Sequence, residues 1–268
     1  MTLIHLFFIL TVVLYGCATA AYIACLVRTS PPLTRWAGRI LTVGFITHLL
    51  STIHLAVKME YLPLTNMQES LSFFSLAVVG CFIFFERRYK VTTLGSFVVP
   101  VALIMLTASS SLHTEARQLP PILQSNWFWF HALLAFASYA CFTIAAGVAV
   151  MYLIQRYFLK TKQFGALFQR LPSLETLEDI SYRCLTVGWP LLTVAIISGS
   201  IWSDQAMGSY WVWDRKQTWS LIIWVIYAAL LHGRLTIGWR GKRAAILSII
   251  GFIVVLFTFF SMKHSITW

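Results

Sequence analysis

Seven histidines and a concentration of tryptophan are the chemically distinctive features of this 268-residue chain. The histidines are His5, His48, His54, His113, His131, His232 and His264. A neutral imidazole keeps one nitrogen lone pair free, which suits it to transition metals. Five of the eleven tryptophans fall between Trp202 and Trp224, around the run Gly208-Ser209-Tyr210-Trp211-Val212-Trp213-Asp214-Arg215-Lys216-Gln217-Thr218-Trp219. Single tryptophans scattered over many helix ends form the aromatic belt of a membrane protein. Here they are packed into one connection with a glycine, an aspartate and two cations. That composition suits a flat, apolar, acidic ligand, with indoles against its face and Arg215 and Lys216 at its carboxylates. On composition alone, platform and belt stand level.

The elements that position these residues are set by hydropathy. Hydrophobic residues make up 59% of the chain and charged residues 11%, against about 45–50% and 25% for a soluble domain. Polar surface is too scarce to wrap such a body in water. Eight stretches approach the roughly 20 apolar residues of a membrane span: 3–27, 37–57, 68–85, 91–112, 127–155, 184–203, 217–233 and 243–262. The expected fold is an all-α polytopic transmembrane bundle of about eight spans, forming one domain over 1–268. The first span is too long for a cleavable signal peptide and has no basic residue before it. Alternate connections hold 15 of the 20 Lys and Arg residues. Cytoplasmic loops collect positive charge, so both termini are expected outside. The basic balance of +11 is then a topology signal, and nucleic-acid binding is not expected. The link 156–183 contains Pro172 and a capping-type Ser173-Leu174-Glu175-Thr176 start, which predicts a short amphipathic helix on the membrane surface. The five cysteines lie in or beside apolar runs without a C-x-x-C pair, which argues against a disulfide framework or a zinc site.

This topology puts His131 at the outer end of the fifth span and His264 at the outer end of the eighth. The tryptophan segment, about 202–224, joins spans six and seven on that face. Two imidazoles at one depth beside an aromatic platform match the needs of a bis-histidine haem, whose iron takes neutral imidazole nitrogens axially. Ionisable groups deeper in a membrane are functional candidates by default. His48 lies about 16 Å into span two and His232 roughly 8 Å from the inner surface, at 1.5 Å per residue. A second, intramembrane haem site is compatible with those depths. For His232 the alternative is a bond to a carbonyl or headgroup; for His48 the ligand and core readings stand level. His5, His54 and His113 are read as structural.

The residues from Leu177 to Leu235 resemble the tryptophan-rich "WWD" haem-handling proteins of cytochrome c biogenesis, and among them the CcsA (ResC) family of the System II pathway. Pro63-Leu64-Thr65-Asn66-Met67-Gln68-Glu69-Ser70-Leu71 resembles that family's external P-x-S-N-x-x-E-S-L segment. Trp129-Phe130-His131 with Ser138-Tyr139-Ala140 resembles its haem-ligand span, and Lys263-His264-Ser265 its terminal G-x-H-S-Y. The resemblance implies that His131 and His264 are axial ligands of an external haem b. It places Trp211, Trp213, Asp214 and Trp219 in the cofactor-binding segment, and matches His232 to a transmembrane haem ligand. The second inner ligand is then His48 or a histidine of a partner. Where the family usually reads W-D-P-K-E-T-W, this chain has Arg215 for the proline and Gln217 for the glutamate. Met207 stands where a tryptophan commonly precedes Gly208.

The function implied is haem transport and presentation for covalent attachment to an apocytochrome c bearing C-x-x-C-H, as half of a holocytochrome c synthase. The implied partner is a CcsB (ResB)-like membrane protein with a large external domain. No external connection here exceeds about 15 residues, too little to grip an apoprotein. The expected location is the bacterial cytoplasmic membrane, with the tryptophan segment on the periplasmic side. Nothing in the sequence resembles a nucleophile, a general base or a nucleotide-binding loop. Two alternatives compete. A HemX-like regulator of haem synthesis would not need the tryptophan segment together with both external histidines. A non-haem small-solute transporter would need polar groups or broken helices at mid-membrane, where this chain is apolar or small except at His48.

Overall fold

The computed structural model describes residues 3–28, 30–112 and 123–261, and they are helical without a strand. Nine α-helices follow in order: α1 (Leu3–Val27), α2 (Pro31–Met59), α3 (Met67–Tyr89), α4 (Gly95–Ser110), α5 (Asn126–Thr161), α6 (Ala166–Arg170), α7 (Leu174–Met207), α8 (Arg215–His232) and α9 (Lys242–Ser261). Eight, all but α6, are long and apolar enough to cross a membrane. Each coincides with one of the eight expected stretches.

The chain divides into two compact units, residues 1–113 with 150–177, and 114–149 with 178–268. In the first, α1 packs on α2 and α4, α3 on α4, and α2 on α3. Its core holds Tyr15, Tyr22, Phe74 and Phe82, all fully buried. The Tyr22 hydroxyl donates to both Glu86 oxygens, at 2.8 and 2.9 Å. The carboxylate end of α3 is thereby tied to α1. The Pro63–Leu71 segment acts locally as a helix start. Asn66 accepts from the Glu69 amide at 2.9 Å, and Glu69 accepts from the Thr65 amide and hydroxyl at 2.8 and 2.9 Å. This capping arrangement satisfies amides that the first turn of α3 leaves without helical partners.

The surface helix expected within 156–183 takes another form. α5 continues to Thr161 and α6 has only five residues. Ser173 does cap a helix, accepting from the Thr176 amide at 3.2 Å, but that helix is α7, which runs unbroken into the span. Residues 174–187 contain neither glycine nor proline, so nothing stops propagation once the turn is nucleated. The Arg183–Asp179 pair at 2.9 Å, four residues apart, also favours the continuous helix.

In the second unit α7 shows its inner face by period. Ser181, Cys184, Leu185, Gly188, Leu192, Ala195 and Ser198 are buried at helical spacing. α8 packs on α9, with Tyr227 stacked on Phe142 of α5 at 3.5 Å between ring centroids. Gly251 of α9 admits the same tyrosine, since a β-carbon there would lie 2.8 Å from its ring.

Candidate functional site

The site in the second unit begins with an antiparallel pairing of α5 and α7 that works through missing side chains. The Ser138 hydroxyl donates to the Gly188 carbonyl at 2.7 Å. A β-carbon on Gly188 would lie 2.8 Å from the Phe142 ring. Eleven residues, or three turns, further along α7, Gly199 faces α5 again. There the opposing residue is His131, eleven residues before Phe142. Its Nδ1 lies 2.6 Å from the Ala195 carbonyl oxygen.

That contact fixes the chemistry of the ring. A carbonyl can only accept, so Nδ1 carries the hydrogen and donates it. Nε2 is then the unprotonated nitrogen, with its lone pair available, and it has no hydrogen-bond partner among the described residues. The carbonyl thereby fixes the orientation of the ring and leaves its other nitrogen suited to a metal.

The same end of the unit carries the α7–α8 connection. Ser125, just before α5, donates to Gln205 Oε1 at 3.0 Å, and Phe128 packs on Trp202 at 5.3 Å. α7 ends at Gly208, whose φ of +71° suits a residue without a β-carbon. Side chains of α7, α8 and the connection itself hold it in place. Gln217 accepts from the Val212 amide at 2.8 Å through Oε1, and its Nε2 donates to Ser203 Oγ at 3.2 Å. Ser203 in turn donates to the Ser209 carbonyl at 2.7 Å. Asp214 caps α8 by accepting from the Gln217 amide at 2.7 Å. Trp213 has a φ of +53°, a conformation costing a side-chain-bearing residue about 1–2 kcal/mol. Backbone outliers of this kind cluster at binding sites.

The tryptophans do not form one platform. Trp211 and Trp213 meet edge to face at 5.6 Å in the connection, and Trp213 is 70% exposed. Trp219, within α8, packs edge-on against Phe257 of α9 at 4.9 Å. Trp224 pairs with Trp189 at 5.2 Å, and its indole donates to Thr193 Oγ1 at 2.8 Å. Trp202, Trp219 and Trp224 therefore join helices, leaving Trp211 and Trp213 with Asp214 in the exposed connection. The Trp211 indole N–H is buried without a hydrogen-bond partner among the described residues, a state that costs free energy unless something accepts from it. Arg215 and Lys216 are exposed and form no salt bridge among the described residues. Lys216 is within electrostatic reach of His131. The free nitrogen of His131 suits a metal ion, and the Trp211 N–H with the Arg215 and Lys216 cations suits an anionic group.

The other sequence candidates fall elsewhere. His264 lies outside the described residues. Within the described residues, α9 sets Phe259 against Phe136 and Tyr139 of α5. His232 closes α8 and is exposed, in line with Ile222, Val225 and Ala229 on one helix face. His48 belongs to the first unit and is 3% exposed. Its Nδ1 meets Tyr15 Oη at 3.2 Å and its Nε2 meets Ser72 Oγ at 3.0 Å, so both ring nitrogens are engaged. His5 and His54 are exposed, and His113 is outside the described residues. Sequence reading missed Gly199, the Ala195 carbonyl, Ser203 and the clamp made by Gln217. Of these, only Gln217 carried a signal, as the third helical residue after Asp214 in a D-x-x-Q capping pattern.

Residues 64–267 match the sequence model of a family described as cytochrome C assembly protein. The chain is 34% identical over 258 residues to the cytochrome c biogenesis protein CcsA of Guillardia theta, covering 87% of this chain and 85% of that one. It is 33% identical over 263 residues to the CcsA of Mesostigma viride, covering 85% of each. With the CcsA of Heterosigma akashiwo it shares 36% over 231 residues, or 73% and 72% of the two chains. Among solved structures, one described as cytochrome c heme lyase CcmF superposes with a TM-score of 0.68 at 17% identity, over 97% of this chain. This chain spans 47% of that protein's length, and a likeness at such identity concerns the fold alone.

Proposed function

The chain belongs to the cytochrome c assembly protein family, and on that premise we propose that it carries haem across the membrane and presents it for attachment to an apocytochrome c. Eight apolar helices make it an integral membrane protein, and its family acts in cytochrome c maturation. The observation that carries the finer reading is His131. Its Nδ1–H is committed to the Ala195 carbonyl and its Nε2 is left free to ligate.

His131, through Nε2, and His264 would hold the iron. The Trp211 N–H and the Arg215 and Lys216 cations would meet carboxylates, and the exposed Trp213 would shield the bound group. When bound, haem would supply the vinyl groups, across whose double bonds the apocytochrome S–H groups add to form thioethers. The protein's residues contribute orientation and exclusion of water. His232, on an exposed face of α8, is the inner ligand. Its second ligand comes from a partner of the CcsB type, because both nitrogens of His48 are already hydrogen-bonded. The tryptophan connection faces the outer side, on the charge asymmetry of the loops. The setting is a bacterial cytoplasmic membrane.

The test is a reduced-minus-oxidised absorption spectrum of the purified protein, with haem counted by pyridine extraction. The wild type is expected to show low-spin haem b, and a His131→Ala, His264→Ala double variant to lose it or turn high-spin. A wild type that carries no haem when co-produced with its partner would refute the reading in favour of a regulatory role.

A further inference from the structure

Gly199 and Ala195 stand in an unusual relation to His131. The two lie four residues apart, so the amide of Gly199 is the one that closes the helical turn on the Ala195 carbonyl. That carbonyl also accepts from Ser198 Oγ at 3.0 Å and from His131 Nδ1 at 2.6 Å. A β-carbon on Gly199 would lie 2.6 Å from Nδ1, 2.9 Å from Cε1 and 3.3 Å from Cγ of the imidazole. All three atoms belong to a rigid ring, so a side chain there cannot be met by turning a flexible end aside. The ring itself must withdraw, and the bond to Ala195 goes with it. Ala195 is fully buried, so water has no ready access to take the place of the imidazole. Gly188, on the same face of the same helix, provides a contrast. It accommodates the Phe142 ring and the Cys141 β-carbon, a close approach that does not involve the histidine.

We infer that Gly199 is a positioning residue for His131: by lacking a side chain it admits the imidazole to the Ala195 carbonyl, which holds the hydrogen on Nδ1 and reserves Nε2 for iron. The role toward iron rests on the haem reading given above, whereas the choice of tautomer does not. A carbonyl accepting from Nδ1–H raises the basicity of the ligating nitrogen and fixes the plane of the ring, and loss of such partners typically weakens metal binding about 10- to 100-fold. A more basic imidazole favours the ferric state. Removal of the bond therefore raises the midpoint potential of any haem held by His131.

The tautomer is read in the full-length, haem-free protein in detergent, labelled with 15N-histidine, by NMR correlation of ring nitrogens to carbon-bound hydrogens. His131 in the wild type is expected to carry its hydrogen on Nδ1, and Gly199→Ala to lose that state. Gly188→Ala, which crowds the same helix pair away from the histidine, is expected to keep it. In haem titrations Gly199→Ala should bind about 10- to 100-fold more weakly than the wild type, with a raised midpoint potential. In a His131→Ala protein supplied with free imidazole, Gly199→Ala should have a much smaller effect, because a ring no longer tethered to α5 can shift away from the β-carbon. A wild-type ring with its hydrogen on Nε2 would overturn the inference without any variant being made. So would a Gly199→Ala protein with unchanged tautomer and affinity, or an equal loss of affinity in the imidazole-supplied background. If the tautomer behaves as expected but the wild type takes up no haem, the haem reading fails and the positioning role stands.

Discussion

Replacing Gln217 with leucine removes both hydrogen bonds that pin the tryptophan connection while nearly preserving side-chain volume. The Val212 amide loses its acceptor at 2.8 Å, and Ser203 Oγ loses a donor at 3.2 Å. Ser203 keeps its own bond to the Ser209 carbonyl, so the first turn of the connection should hold. Each lost bond is worth about 0.5–1.5 kcal/mol. Val212 is 40% exposed, so water partly replaces the missing acceptor, and the two together come to about 1–3 kcal/mol of local stability. At about 1.4 kcal/mol per factor of ten, amides around Trp211–Asp214 should exchange about 5- to 150-fold faster by mass-spectrometric hydrogen exchange. The helices should not change, since such openings are local. Gln217→Glu makes the companion variant. One carboxylate oxygen still accepts from Val212, while the other now faces Ser203 as an acceptor. Ser203 can then turn its hydrogen from Ser209 toward the carboxylate, so Val212 should stay protected. Unchanged exchange in the leucine variant, or a loss of protection spread over the whole chain, would refute the assignment of Gln217 as the clamp.

Further outcomes follow from other contacts. Asp214→Ala should cost about 1 kcal/mol by removing the cap of α8, whereas Asp214→Asn should cost little, which thermal unfolding in detergent would register. Gly95→Ala should destabilise by about 1–3 kcal/mol, because its β-carbon would fall 2.5 Å from the fully buried Tyr22 ring. Tyr227→Phe should be neutral or stabilising in the same assay, since the hydroxyl removed is buried without a partner among the described residues. A cysteine in place of Trp213 should react with a membrane-impermeant thiol reagent added outside intact cells, while one in place of the exposed Gln163 should not. The opposite pattern would reverse the proposed orientation.

Much of this protein is decided by sequence because a bilayer leaves few choices. Backbone polar groups in hydrocarbon must pair within their own helix, so the number of apolar stretches of sufficient length sets the number of helices. All eight were legible for that reason. The link 156–183 was misjudged because it lies where water competes for the backbone and polar composition no longer separates a surface helix from the prolonged end of a span. His131 and the Trp211-Val212-Trp213-Asp214 run stand out in the sequence by residue type, and hydropathy puts them at one expected end of the bundle. Which atoms of these residues remain free was not. That Trp219 and Trp224 join helices while Trp211 and Trp213 stay in the connection depends on partners such as Phe257 and Thr193, distant in sequence. The tautomer of His131 depends on a carbonyl 64 residues away, reached only because Gly199 presents no side chain where α5 and α7 close together. Hydropathy is a sum over neighbouring residues and survives being read along the chain. A hydrogen bond between helices is a matter of tenths of an ångström, and only the packed structure sets it.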